Sequence, residues 1–431
     1  MTGLAQASKA GAAMRIDRYI VATIYILLLC WPAVYRLTVP GALGDFAYYI
    51  VAYAIPVIVF VMYQLQVGRV AESLMIVFGV ITVLVASIAL ADHRMHSFST
   101  IFYAFKFYLT PIMLVYSGVH LASWFSHRQF QGLLVVIVAG HLFVSLLHYS
   151  ELLPSIVYQA NGQISENWSS VVGGYRAFVG LTLSKFDLAY QVGFLLVGAI
   201  FCSECFSSRS VRMLFMAMAA VLVVFTYNKT LALVVFVAIV ILGYGWLRQY
   251  SKIIARTALG IIGLLIIGIV VKFLAGDIML TDVYAFLSPQ TFWSRVYIWQ
   301  EAAIFDWAHL FRGMGAGSLA QRDVTLDNQF LYGYLELGVV GAAAYFTMFA
   351  AMILRISGNH RFGRRVLVLL CLTFVIGDIL NAHALLLAIG LYLGRVGPAS
   401  VTPEAAGYEV QRSTTGMGTC RPKNPEGAVC E

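Results

Sequence analysis

Four cations, Arg176, Lys229, Arg295 and Arg322, stand at polar interruptions of an otherwise apolar chain, and the carboxylate of Asp327 follows the last of them. Guanidinium groups fork onto phosphate oxygens through paired hydrogen bonds, and an ammonium adds a point charge, so the set suits a polyanion such as a pyrophosphate. Asp327 opens the run DNQFLYGYLELGVVGAAAYF. Its spacing suits a helix N-cap, and capping is compatible with a second task, drawing the proton from an attacking hydroxyl. Lys229 lies in FTYNKTLALVV, where Asn228, Lys229 and Thr230 offer caps to the helix that follows. A cation there opposes the helix dipole and so invites an anionic partner.

Other polar residues carry weaker signals. Lys106 falls inside an apolar run and must face the bundle interior or a wet cavity. Asp378, Asn381 and His383 form a polar island between the last two apolar runs, which marks either function or a hydrogen bond between helices. Asp378 and His383 are secondary site candidates. Gly313, Gly315 and Gly317 make GMGAG, superficially a dinucleotide motif, but no strand precedes it, so it reads as a tight turn. Cys202 and Cys205 form a CxxC with no second pair and no His beside it, so they read as buried thiols, and no disulfide or metal is expected.

These groups must be positioned by membrane helices. Of 431 residues, 61% are hydrophobic and 11% charged, against roughly 25% charged in soluble domains, and the mean hydropathy is +0.84. Helices satisfy their own backbone polar groups, so the fold class is all-α and polytopic. Runs at about 19–35, 47–64, 73–91, 99–124, 131–150, 186–203, 211–227, 230–247, 257–275, 328–353, 365–378 and 380–396 give about 12 transmembrane helices in a single domain, 1–397. The polar tail, 398–431, is expected to be disordered. No cleavable signal peptide is expected at the start, because no small-residue cleavage site follows the first apolar run.

The net charge of +8 suggests nucleic acid until the charges are placed. Basic residues cluster in short loops between runs, the positive-inside pattern, which puts both termini in the cytoplasm and leaves no expectation of a nucleic-acid partner. Two long connections, about 151–185 and 276–327, then face the other side. Both are rich in aromatics, including Trp168, Tyr175, Trp293 and Trp299. These residues anchor loops among lipid headgroups or stack on sugar rings.

The stretch SRVYIWQEAAIFDWAHLFRGMGAGSL, followed by DNQFLYGYLELGVVGAAAYF, resembles the signature of the O-antigen ligase and Wzy-type polymerase superfamily. In that signature an Arg-and-Trp segment leads to a glycine turn, then to a His-Asn or Asp-Asn pair opening a span with the pattern E-x-G-x-x-G. The matching positions are Arg295, Trp299, Gly313, Gly315, Asp327, Asn328, Glu336, Gly338 and Gly341. TYNKTLALVV resembles the family's arginine-containing break, with Lys229 where arginine is usual, and the stretch around Arg176 resembles its upstream arginine segment. The similarity spans about residues 170 to 345.

The resemblance implies a glycosyltransferase of the bacterial inner membrane, independent of metals and cofactors, that joins undecaprenyl-pyrophosphate-linked oligosaccharide repeat units at the periplasmic face with inversion. Asp327 would be the catalytic base; Arg176, Lys229, Arg295 and Arg322 would hold pyrophosphate; Trp293, Trp299 and Asn328 would contact glycan. Ligases of the superfamily carry histidine where this chain has Asp327, so the resemblance is closer to the polymerase branch. The expected partners are the lipid-linked donor and acceptor, the bilayer, and the chain-length regulator and flippase proteins of such a pathway. Two alternatives stand beside it: a ligase that transfers glycan to a lipid A core, and a lipid-linked oligosaccharide flippase.

Overall fold

The computed structural model describes residues 17–34, 42–67, 70–90, 98–150, 171–172, 175–182, 184–251, 257, 307–321, 328–358, 360–376 and 382–396. They form an all-helical bundle. In chain order it comprises α1 (17–30), α2 (Ala42–Tyr49), α3 (Ile55–Val67), α4 (Val70–Leu90), α5 (Phe98–Ala104), α6 (Thr110–Ala122) and α7 (His127–Tyr149). There follow α8 (Lys185–Phe201), α9 (Arg209–Phe225), α10 (Lys229–Tyr250), the short α11 (Trp307–Arg312) and α12 (Ser318–Gln321), then α13 (Gln329–Ile356), α14 (His360–Ile376) and α15 (His383–Val396). A two-rung antiparallel ladder, β1 (Val171–Val172) against β2 (Tyr175–Arg176), precedes α8.

Among the described residues, four helical stretches are long and apolar enough to cross a membrane: Ser73–Leu90, Phe98–Ala122, His127–Tyr149 and Gln329–Ile356. Eighteen residues at ~1.5 Å each already reach about 27 Å, close to the ~30 Å of a bilayer core. Large apolar side chains such as Phe46, Leu65, Met75, Phe78 and Phe98 point outward from the bundle, an exterior suited to lipid. The apolar runs read from the sequence fall on described helices with edges moved by a few residues; the run 257–275, the tail and most of both long connections lie outside the described residues.

Side-chain caps set several of the helix starts. Ser126 forms a capping box with Gln129 ahead of α7, and Ser184 accepts the Asp187 N–H ahead of α8. Asn228 and Asn328 do the same for α10 and α13, accepting the N–H groups of Leu231 and Leu331 at 3.0 and 2.9 Å. Each such bond satisfies one of the amides that a helix start leaves without a partner.

The centre of the bundle is the pair α6 and α15. Every residue of α6 is buried. Gly390 and Gly394, spaced as in a small-xxx-small motif, let α15 lie directly on α6, where a Cβ on Gly394 would stand 2.6 Å from the Val119 carbonyl. Two π turns interrupt the described helices, Ile50–Ala54 between α2 and α3 and Phe105–Leu109 between α5 and α6. Ahead of α8 the chain from Ala177 to Thr182 is buried. It is tied by the Phe178 N–H to the Phe225 carbonyl at 2.8 Å, the Leu181 N–H to His141 Nδ1 at 3.1 Å, and the Leu181 carbonyl to the Ala33 N–H at 3.1 Å.

Candidate functional site

The best-defined polar structure is built where α13 breaks. Gly338 has φ 70° and ψ 173°, so α13 kinks there and the carbonyls of Leu335 and Glu336 leave the helical ladder. The glycine turn occupies the gap. Its amides are taken in succession: Met314 N–H donates to the Leu335 carbonyl (2.8 Å) and Gly315 N–H to the Glu336 carbonyl (3.0 Å). Ala316 N–H donates to Ser87 Oγ (3.1 Å), which itself donates to the Glu336 carbonyl (3.0 Å). Gly317 N–H donates to Glu336 Oε2 and Leu319 N–H to Oε1, each at 2.9 Å.

The Glu336 side chain is fully buried and accepts a third bond, from the Tyr108 hydroxyl at 2.8 Å. A carboxylate offers about four acceptor sites, and three donors converge on this one, which is what a buried carboxylate requires. Tyr108 is fixed in turn, with the Tyr345 hydroxyl donating to its carbonyl at 3.2 Å and the two rings meeting edge to face at 5.1 Å. Three glycines are needed because Gly313, Gly315 and Gly317 all take positive φ. A Cβ on Gly313 would strike the Glu336 carbonyl, and one on Gly317 the Thr100 carbonyl.

The GMGAG segment is therefore a tight turn, as its surroundings predict. Its amides from Met314 to Gly317 are committed to Leu335, Glu336 and Ser87, which leaves no cradle for a dinucleotide phosphate. The signature positions Gly313, Gly315, Glu336 and Gly338 form one mechanical unit that ties the chain before residue 322 to the chain after residue 335.

The cap of α13 is Asn328, one residue later than the sequence spacing suggests for Asp327. Both residue types cap well, so the pattern alone does not fix which one takes the position. Asn328 is partly buried at the mouth of the helix. Replacing it with alanine is expected to cost ~1 kcal/mol of stability, while Asn328→Asp, an equally good cap, should restore it; thermal unfolding of the purified variants measures both. If Asn328 also touches glycan, the aspartate variant will be stable yet less active.

The other site residues read from the sequence are placed as follows. Arg176 lies on β2 and Lys229 is the first residue of α10, directly after its cap. Arg295, Arg322, Trp293, Trp299, Asp327 and Asp378 lie outside the described residues. His383 begins α15 and is hydrogen-bonded through Nδ1 to the Tyr48 hydroxyl at 3.0 Å. Lys106 faces the interior as required, with its ammonium over the rings of Phe107, Tyr103 and Tyr53 at 5.3, 5.8 and 5.9 Å, so cation–π contact replaces part of its lost hydration.

Sequence reasoning gave Glu336 only as a letter in a motif and missed Tyr108 and Ser87. The available signal was a lone acidic residue in the middle of an apolar run, which requires buried donors somewhere. A comparison with family models finds none that matches the chain, and a comparison with curated proteins finds no relative.

Proposed function

We propose that this chain is a polysaccharide polymerase of the bacterial inner membrane, joining lipid-pyrophosphate-linked oligosaccharide repeat units at the periplasmic face. The observation that carries the reading is the bond between Glu336 and the glycine turn. The two motif segments are separated only by residues 320–326, and two of the positions the motif specifies, Gly315 and Glu336, are joined directly, N–H to carbonyl, at 3.0 Å.

In this reading about twelve spans keep both termini in the cytoplasm, and the interlocked turn braces the segment that ends in Asp327. The acceptor hydroxyl oxygen attacks the anomeric carbon of the donor, whose bond to the pyrophosphate oxygen breaks with inversion. The hydroxyl proton passes to the Asp327 carboxylate. The lipid pyrophosphate leaves with its negative charge stabilised by Arg176, Lys229, Arg295 and Arg322, help directed at charge that develops in the transition state.

The test is purified protein with lipid-linked repeat units, resolved on a gel. A ladder of lengths is expected. Unchanged size with repeat units moved across a vesicle membrane would overturn the polymerase reading in favour of a flippase. Asp327→Asn should abolish the ladder, a fall of at least about a hundredfold for loss of a general base, while the protein remains folded in membranes. Retained chain length in that variant would remove Asp327 from the role.

A further inference from the structure

A second polar site lies where α8 and α15 begin. A cavity of about 40 Å³ opens between them and the ends of α1 and α2, lined by the polar side chains of Tyr48, Thr182, Asp187, Gln191 and His383 and by apolar walls that include Leu29 and Pro32. At ~10–15 Å³ for each water-sized occupant it has room for about three, enough for a hydroxymethyl group but not for a whole sugar ring. Two of its polar groups are almost fully buried, Gln191 at 1% exposure and His383 at 5%. Gln191 Nε2 and His383 Nε2 have no hydrogen-bond partner among the described residues. Leaving such groups unpaired is costly, so each asks for an occupant.

The surroundings are organised toward this cavity. Both π turns flank His383: Tyr53, in the first, meets its ring edge to face at 4.9 Å, and Lys106, in the second, lies over Tyr53 at 5.9 Å. Single π turns inside α-helices recur at functional sites, because the inserted residue re-aims side chains. Asp187 is held by Ser184, which donates to its Oδ2 at 2.8 Å, and Thr182 donates to the Val179 and Ser184 carbonyls at 2.7 Å each.

Charge selects the class of occupant. Asp187 opposes an anion. Lys106, whose ammonium lies over the Tyr53 ring that packs on His383, and the positive ends of α8 and α15 oppose a cation. The unpaired donors of Gln191 and the acceptor oxygens of Asp187 together suit a group that both accepts and donates, which is a hydroxyl. The apolar and aromatic walls suit its carbon skeleton.

We propose that this cavity is a binding subsite for a neutral, hydroxyl-bearing group, the hydroxymethyl arm of a sugar in the acceptor glycan, with Gln191, His383 and Asp187 as its polar contacts. Naming the glycan as the source of the hydroxyl rests on the polymerase reading. The preference for a neutral hydroxylated group does not.

The test is direct binding. Protein in lipid nanodiscs is mixed with methyl glucoside, methyl galactoside and methyl mannoside, and saturation transfer from protein to sugar protons is read by NMR. Transfer to at least one glycoside is expected, reduced about three- to tenfold in Gln191→Met, the weight of one hydrogen bond. Ala384→Phe enters from a partly exposed position on the cavity wall and leaves the polar groups intact; it should abolish transfer even if Gln191→Met fails to fold. No transfer above empty nanodiscs from any glycoside, which would mean a cavity that holds water only, overturns the proposal, as does undiminished transfer in Ala384→Phe. Sugar binding without a polymer ladder would keep the subsite and discard the polymerase; a ladder without sugar binding would do the reverse.

Discussion

Glu336→Ala is expected to lower sharply the amount of folded protein recovered from membranes and, on the proposed polymerase reading, to abolish polymer formation. The substitution removes the acceptor of Gly317 N–H, Leu319 N–H and Tyr108 O–H together. Each buried donor left unpaired costs ~1–3 kcal/mol, and the sum is comparable to the whole stability margin of a typical domain, about 5–15 kcal/mol. Glu336→Gln keeps the shape but turns one acceptor atom into a donor facing another donor, so an intermediate loss is expected. Size-exclusion profiles of detergent extracts after heating rank the three proteins. An alanine variant as heat-resistant and as active as the parent would show that the turn is held by something else.

Gly338→Ala should be nearly as damaging, for a different reason. At φ 70° and ψ 173° the backbone lies in a region that essentially only glycine adopts, at a cost on the order of 1–3 kcal/mol to any other residue, and the added Cβ would collide with the Phe311 carbonyl. Relief by straightening α13 would draw the Leu335 and Glu336 carbonyls back into the helix and away from the turn. Gly341, three residues on, is the control. Its backbone is not left-handed, and a Cβ there would meet the Leu337 Cβ at 3.0 Å and a Val83 methyl at 3.5 Å. The Leu337 Cβ is fixed to the backbone, and the cost of crowding it offsets the ~1 kcal/mol that alanine gains in a helix, so Gly341→Ala should leave heating profiles almost unchanged. Equal damage from both variants would mean that the kink is not what the motif's first glycine provides.

The helices were legible because lipid enforces one rule, long apolar runs that pair their own backbone, and the runs from Ser73 to Leu90 and from Gln329 onward obey it openly. The turn at Gly313 was legible through what it lacked, a preceding strand. The rest was hidden for identifiable reasons. Asp327 and Asn328 are adjacent and both favour a cap, so local chemistry does not separate them. Gln191 and Asp187 are isolated polar letters in an apolar segment, and only tertiary packing decides that they share a cavity with His383, nearly two hundred positions away in the sequence. The π turns have no signature in composition at all: FKFYL and IVAYA read as ordinary membrane helix.

Those π turns also bear on how a chain like this drifts from its ancestors. Each is one residue more than an α-helix would hold, and deleting that residue rotates everything on one side of it by about 100°. The turn at Phe105–Leu109 sends Lys106 toward Tyr53 and Tyr108 toward Glu336, so a descendant that lost the extra residue could keep one of these contacts but not both.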